Sequence, residues 1–341
     1  MDDSVDFSRS PQAILLPILS AFAIVLSIPP LIWHFRNRGV AACSLIFWML
    51  LSNVFNFVNA LIWPTDDIPN WWNGVGLCDI EVKLTLAFII GTTGSTACIM
   101  RNLARVLDTD RSSIIPSPGE RKRRLIVDLL FCWGCPIFMM AVHYIVQPSR
   151  YYIFGISGCN YSVDNSWPSI VLIFIWSPIF CIIAAYYSVL VIVRMHHYRR
   201  EFQQVLSAAS GNLNKSRFLR LFIMSLTLVV IFLPFNIYLF YLNVSVPRLP
   251  YSWDAVHGPE WSDIIMVPAN GQVQFDRWIR VASGLLVFFF FGMGKDAMDM
   301  YRKWLAQTRL DKVPRIFKRK SQSNSRASSI LSSALLVAKQ R

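Results

Sequence analysis

Asp79, Glu81 and Lys83 open an apolar run that continues to about residue 100. Ionisable groups inside a bilayer are costly, so they face protein or water and often mark a functional site. Asp79 and Lys83 stand four apart and are spaced to pair along a helix. The same groups also suit the rim of a ligand pocket, with Arg280 in a later apolar run as its opposite wall. Asn53, Asn56 and Asn59 recur every three residues and form one polar stripe on a helix. Such a stripe must face protein, and interhelical hydrogen bonding is its expected role.

Cysteine and histidine chemistry is sparse. Cys78 and Cys159 are the two cysteines that fall at an oxidising outer surface in the topology below. They form either a disulfide that pins the second outer loop across the bundle or two free thiols. Cys132 and Cys135 make a C-x-x-C inside LLFCWGCPIF, with no second C-x-x-C and no histidine cluster beside it. That points to helix packing, where a thiol behaves as a small hydrophobe, and away from metal or redox work. His34, His143, His196, His197 and His257 form no metal box, and no metal, cofactor or enzymatic activity is expected. A retinal Schiff base needs a lysine in the middle of the last apolar run, but the nearest, Lys295, lies at its end.

Seven apolar stretches must position these residues, near 12–35, 40–63, 77–100, 125–147, 168–193, 218–242 and 278–298. Each reaches the roughly 20 residues that a helix needs to cross a bilayer. A helix also satisfies its own backbone in lipid. Charged residues are 16% of the 341, well below the roughly 25% of soluble domains. The expected fold is an all-α membrane protein, a seven-transmembrane helix bundle. Residues 1–11 read as an extracellular tail without a cleavable signal, and 12–298 as the bundle. Residues 299–310 read as an amphipathic interfacial helix, with Tyr301, Trp304, Leu305 and Thr308 on one face. Residues 311–341 read as a basic, serine-rich cytoplasmic tail whose serines suit phosphorylation.

Lys and Arg are distributed unequally between alternate gaps. Twenty-seven fall in one alternating set of non-span segments and four in the other. Positive charge stays inside, so the N-terminus is expected outside and the C-terminus in the cytoplasm. The net charge of +13 is then a topology signal and an attraction to anionic lipid, and no nucleic acid is implied. The outer face is acidic and aromatic, with Trp63, Trp71 and Trp72 around the first loop and Tyr251, Trp253, Trp261 and Trp278 around the third. An interfacial aromatic belt explains part of this. Glu81, Lys83, Trp72, Trp253, Trp261 and Arg280 are the candidate ligand-binding residues. Arg101, Arg105, Arg194, Arg199, Arg200, Lys215 and Arg217 make a cationic inner surface, read as topology enforcement or as a dock for an acidic partner. Two outer Asn-x-Ser sequons, at Asn160 and Asn243, agree weakly with this topology.

The stretch PYSWDAVHGPEWSDIIMVP (Pro250–Pro268), followed by FDRW, resembles the fungal mating-pheromone receptors for lipopeptide pheromones, a class D family of G-protein-coupled receptors. LCDI at Leu77–Ile80, Cys-Ile-Met-Arg-Asn-Leu at the end of the third span and FLPFNIYLFYLN at Phe232–Asn243 add to the resemblance. It covers about residues 12–305. It implies a multi-pass plasma-membrane receptor for a prenylated, methyl-esterified peptide, coupled to a heterotrimeric G protein. The D/E-R-Y and N-P-x-x-Y motifs of rhodopsin-like receptors are absent, so their switch chemistry does not transfer. The competing reading is a seven-helix transporter or channel. Against it stand the lack of similarity between the two halves and the scarcity of ionisable residues at mid-membrane.

Overall fold

The computed structural model describes residues 9–108, 117–197 and 215–292. Within these, six helices are long and apolar enough to cross a membrane. They are α1 (Pro11–Arg36), α2 (Val40–Ile62), α3 (Leu77–Val106), α4 (Pro118–Val146), α5 (Trp176–His197) and α6 (Lys215–Ser245). A seventh, α7 (Phe275–Val287), continues through a π turn at Phe288–Gly292, and its far end lies outside the described residues. The interfacial helix expected at 299–310 and the tail beyond it lie there too.

The helices follow the apolar runs, with two extensions. α3 reaches Val106 and α4 starts at Pro118, each about two turns beyond the apolar limit. The added turns, RNLARV and PGERKRR, are basic and polar. Hydropathy stops at the edge of the hydrocarbon, whereas a capped helix continues into the headgroups; Ser117 caps α4 by accepting from the Glu120 N–H. α1 runs unbroken through Pro17, Pro29 and Pro30, as neighbours in a bundle allow.

α3 is the central helix, with 78% of its apolar window buried against 17–56% for the other five spans. Small residues make that possible. A Cβ on Gly91 would collide with the Trp48 indole, and one on Gly94 would meet the Phe131 carbonyl oxygen at 2.6 Å. α4 answers with a π turn at Leu130–Gly134, and the Trp48 indole N–H donates to the Cys132 carbonyl there at 3.1 Å. The C-x-x-C thus sits in a packed, irregular turn with both thiols free.

One end of the bundle carries a small sheet that the helical reading did not include. β1 (Tyr151–Phe154) pairs antiparallel with β2 (Gly158–Asn160) and parallel with β3 (Ile264–Val267), in the order β2-β1-β3. The register sets Ile153 opposite Cys159 and Met266. Trp63, Cys78, Val82, Tyr151, Ile153 and Cys159 form a closed apolar cluster beneath it. The Asp66 carboxylate accepts from the Ala269 and Asn270 N–H groups at 2.8 and 2.7 Å, tying the α2–α3 loop to the segment after β3. Loops from three gaps therefore form one lid.

Candidate functional site

The lid is anchored on α3. Cys78, in its first turn, is disulfide-bonded to Cys159 in β2, with the Cα atoms 5.3 Å apart. One residue on, Asp79 receives two parallel bonds from Arg150, Nε to Oδ1 at 2.8 Å and Nη2 to Oδ2 at 2.7 Å. That hydrogen bond, above all, holds the Arg150 guanidinium above its ordinary pKa range. The Asp79–Lys83 pair that the spacing allows gives way to this one. A bidentate guanidinium offers more than an i, i+4 lysine worth a few tenths of a kcal/mol. Lys83 instead turns to α4, with Nζ 2.9 Å from His143 Nδ1 and 2.7 Å from Gln147 Oε1.

Below the lid, the asparagine stripe of α2 clamps its neighbours. Asn53 Nδ2 donates to the Arg280 carbonyl and Asn56 Nδ2 to the Arg277 carbonyl, both at 3.0 Å. Asn59 Nδ2 donates to Glu81 Oε1 at 2.6 Å and also to the Ser157 carbonyl at 3.3 Å. A three-residue period on α2 thus meets a three-residue period on α7, as two closely packed helices require. Arg277 is fully buried and donates to the Cys159 carbonyl at 3.1 Å. Arg280 donates to Asp276 at 2.8 Å and lies 5.4 Å from the Phe88 ring centroid.

A cavity of about 350 Å³ opens beside this network, among α3, α4, α5, α6 and the β2 strand. Leu86, Ile90, Met139 and Ile173 make its apolar wall, and Asn160, Tyr161, Ser177, Asn236 and Asn243 its polar one. Burial holds the Tyr161 phenol above its ordinary pKa range, so it stays neutral. The sequence reading takes Asn160 and Asn243 as sequons and places none of these groups in a binding site. A signal was present, since Asn236 and Asn243 lie seven residues apart, on one face of an apolar helix.

The six residues expected to bind ligand do not gather in this cavity. Glu81 and Arg280 are sealed in the α2–α3–α7 network, and Lys83 is bound to α4. Trp72 stacks on Trp63 with centroids 6.2 Å apart, half exposed on the lid. Trp253 and Trp261 join Tyr144 and His257 in an aromatic cluster over the end of α4. Trp261 Nε1 donates to the Gln147 carbonyl at 2.8 Å and Tyr251 Oη to that of Ile145 at 3.0 Å, so the α6–α7 loop caps carbonyls that α4 leaves unpaired.

At the opposite end the basic residues divide. Arg101 pairs with Asp128 on α4 at 2.7 Å, and Asn102 supports the same carboxylate at 3.1 Å. Arg194 pairs with Asp108 at 3.1 Å and also donates to the Ala104 carbonyl at the end of α3. The Arg217 guanidinium lies 4.7 Å from the Trp33 ring centroid. Arg105 is exposed and Lys215 begins α6, while Arg199 and Arg200 lie outside the described residues.

A sequence profile of the STE3 family, the pheromone A receptors, matches residues 15–311. The chain is 31% identical over 302 residues to the pheromone a factor receptor of Saccharomyces cerevisiae, covering 88% of this chain and 63% of that protein. It is 30% identical over 305 residues to the pheromone B beta 1 receptor of Schizophyllum commune, covering 86% and 54%. With pheromone receptor 1 of Mycosarcoma maydis it shares 26% over 308 residues, covering 85% and 82%. The chain thus spans less than two thirds of the first two relatives. A lidded bundle of membrane helices, matched across nearly all of its length, belongs to the STE3 pheromone A receptor family of G-protein-coupled receptors.

Proposed function

We propose that this chain is a plasma-membrane receptor that binds an extracellular prenylated peptide pheromone and activates a heterotrimeric G protein to start a mating response. In this reading the lid end, with the N-terminus, faces outward and the basic end faces the cytoplasm. The family match across residues 15–311 carries it, because that segment contains both the lid and the basic helix ends. The charge distribution supports the orientation, with twenty-seven Lys and Arg in one set of alternating segments and four in the other. Activation separates α5 and α6 from α3 at the basic end and exposes the cationic surface to an acidic face of the G-protein α subunit.

The test is expression in a cell whose G protein drives a reporter, challenged with synthetic prenylated peptides and their unprenylated counterparts. Dose-dependent reporter output from a prenylated peptide alone supports the reading. Substrate flux through proteoliposomes with no G protein present, and no reporter output from any peptide, would replace it with a transporter.

A further inference from the structure

Among the described residues, the lining of the cavity among α3, α4, α5 and α6 holds no Asp, Glu, Lys, Arg or His. Glu81, Lys83, Arg277 and Arg280 lie outside that lining, each bonded elsewhere, to Asn59, Gln147, the Cys159 carbonyl and Asp276. Glu81 Oε2, Arg277 Nε and Nη1 and Arg280 Nη1 stay buried without a hydrogen-bond partner among the described residues. Its volume of about 350 Å³ lies at the lower end of the roughly 300–1,000 Å³ of small-molecule pockets. One wall is hydrocarbon, and the other holds three carboxamides, the Ser177 hydroxyl and the phenols of Tyr152 and Tyr161. A carboxamide both donates and accepts, so it suits an amide or ester and gives an ion no counter-charge.

At the lid end the sheet supplies Tyr152 of β1 and Asn160 of β2 to the lining. The side wall between α5 and α6 differs. Ser177 Oγ donates to Asn236 Oδ1 at 2.6 Å at its base. At its top Asn165 Nδ2 donates to the Pro247 carbonyl at 2.7 Å, and Arg248 Nη1 to Asn165 Oδ1 at 2.9 Å. Between these two fastenings, Leu239 both lines the cavity and is 38% exposed. Tyr238, Tyr241 and Leu242 on the same stretch of α6 are exposed as well. Exposed apolar surface at this depth of a bundle faces lipid.

We propose that the cavity seats an uncharged hydrocarbon chain that ends in an amide or ester, and that the chain enters from the bilayer between α5 and α6. The assignment rests on the receptor reading and gives it a site. A larger groove of about 530 Å³ on α1 and α2 is a poorer candidate. Apart from Arg9 its lining is apolar, with no hydroxyl or carboxamide to hold a polar end, so a lipid tail fills it without selection.

The experiment uses the full chain in nanodiscs and a photoreactive S-farnesylcysteine methyl ester, with crosslinked peptides identified by mass spectrometry. Labelling is expected on the segments holding Ile173–Phe174 and Leu239–Phe240, and excess unlabelled ester should remove it. Leu239→Trp, at the mouth, and Asn243→Asp, which adds a charge, should each lower this labelling at least tenfold. Leu242→Trp, exposed on the same helix but outside the cavity lining, should leave it unchanged, which also shows that the helix tolerates a tryptophan. Labelling spread evenly over the lipid-facing helices, or insensitive to Leu239→Trp and Asn243→Asp, would overturn the site. The reporter assay separates the two ideas. Signalling to a prenylated peptide without cavity labelling removes the site and keeps the receptor. Cavity labelling with no signalling to any peptide keeps the site and removes the receptor.

Discussion

The Asn59 carboxamide donates to Glu81 Oε1 at 2.6 Å, and both side chains are sealed from solvent. A carboxylate in that position is structural mortar between α2 and α3. Glu81→Ala leaves one Asn59 N–H buried without its acceptor while the other keeps the Ser157 carbonyl, a loss of about 1–3 kcal/mol. Glu81→Gln keeps an acceptor of the same shape and should cost less. The measurement is the thermal midpoint of the purified receptor, with pheromone affinity alongside. A drop in affinity with an unchanged midpoint would return Glu81 to the ligand.

Removing the Cys78–Cys159 bridge should lower stability towards the bottom of the roughly 2–4 kcal/mol typical of disulfides. The bridge spans 81 residues of sequence, but α3 and α4 stay helical in lipid, so it restrains mainly the short segment that follows α4. Cys78→Ser, Cys159→Ser and the double variant should share one thermal midpoint, and a reducing agent should bring the parent to it. Three different midpoints would mean that the thiols contribute separately.

Arg194 ties the foot of α5 to α3 through Asp108 and the Ala104 carbonyl. If activation separates these helices, the contact favours the resting state. Both side chains are about a quarter exposed, which limits the pair to about 1 kcal/mol. Asp108→Asn should therefore raise ligand-free reporter output by up to roughly fivefold. Unchanged basal output with normal surface expression would show that the pair persists in the active state. Charge reversal at Arg199 and Arg200 should weaken coupling more than pheromone binding, and equal loss of both would indicate misfolding.

The Asn160 and Asn243 sequons should carry no glycan. Asn160 lies in β2 with its carboxamide 3.4 Å from Gln274 Oε1, and Asn243 lies within α6, where its carboxamide donates to the Leu239 carbonyl at 2.8 Å. Both line the cavity. Peptide N-glycosidase should leave unchanged any mobility due to these sites. A shift that Asn160→Gln abolishes would place that strand on the open surface.

Local spacing was readable where one element decides the outcome. The Asn53–Asn56–Asn59 stripe announces a helix face that needs polar partners, whatever the partners are. Gly91 and Gly94 let Trp48 and Phe131 approach α3, the most enclosed of the six described spans. Asp79 and Lys83 show the limit of such reasoning. Their spacing permits a pair, but Arg150, distant in sequence, reaches Asp79 first with better geometry.

By itself the sequence determined the number and placing of the membrane helices and the charge imbalance between their ends, because bilayer thickness and hydropathy act on each segment separately. Only the tertiary structure decided that the loops at one end form a sheet, that Glu81 and Arg280 are sealed, and that Asn160, Asn236 and Asn243 share a cavity. Those relations join residues separated by whole helices, and no period within one helix encodes which faces will meet.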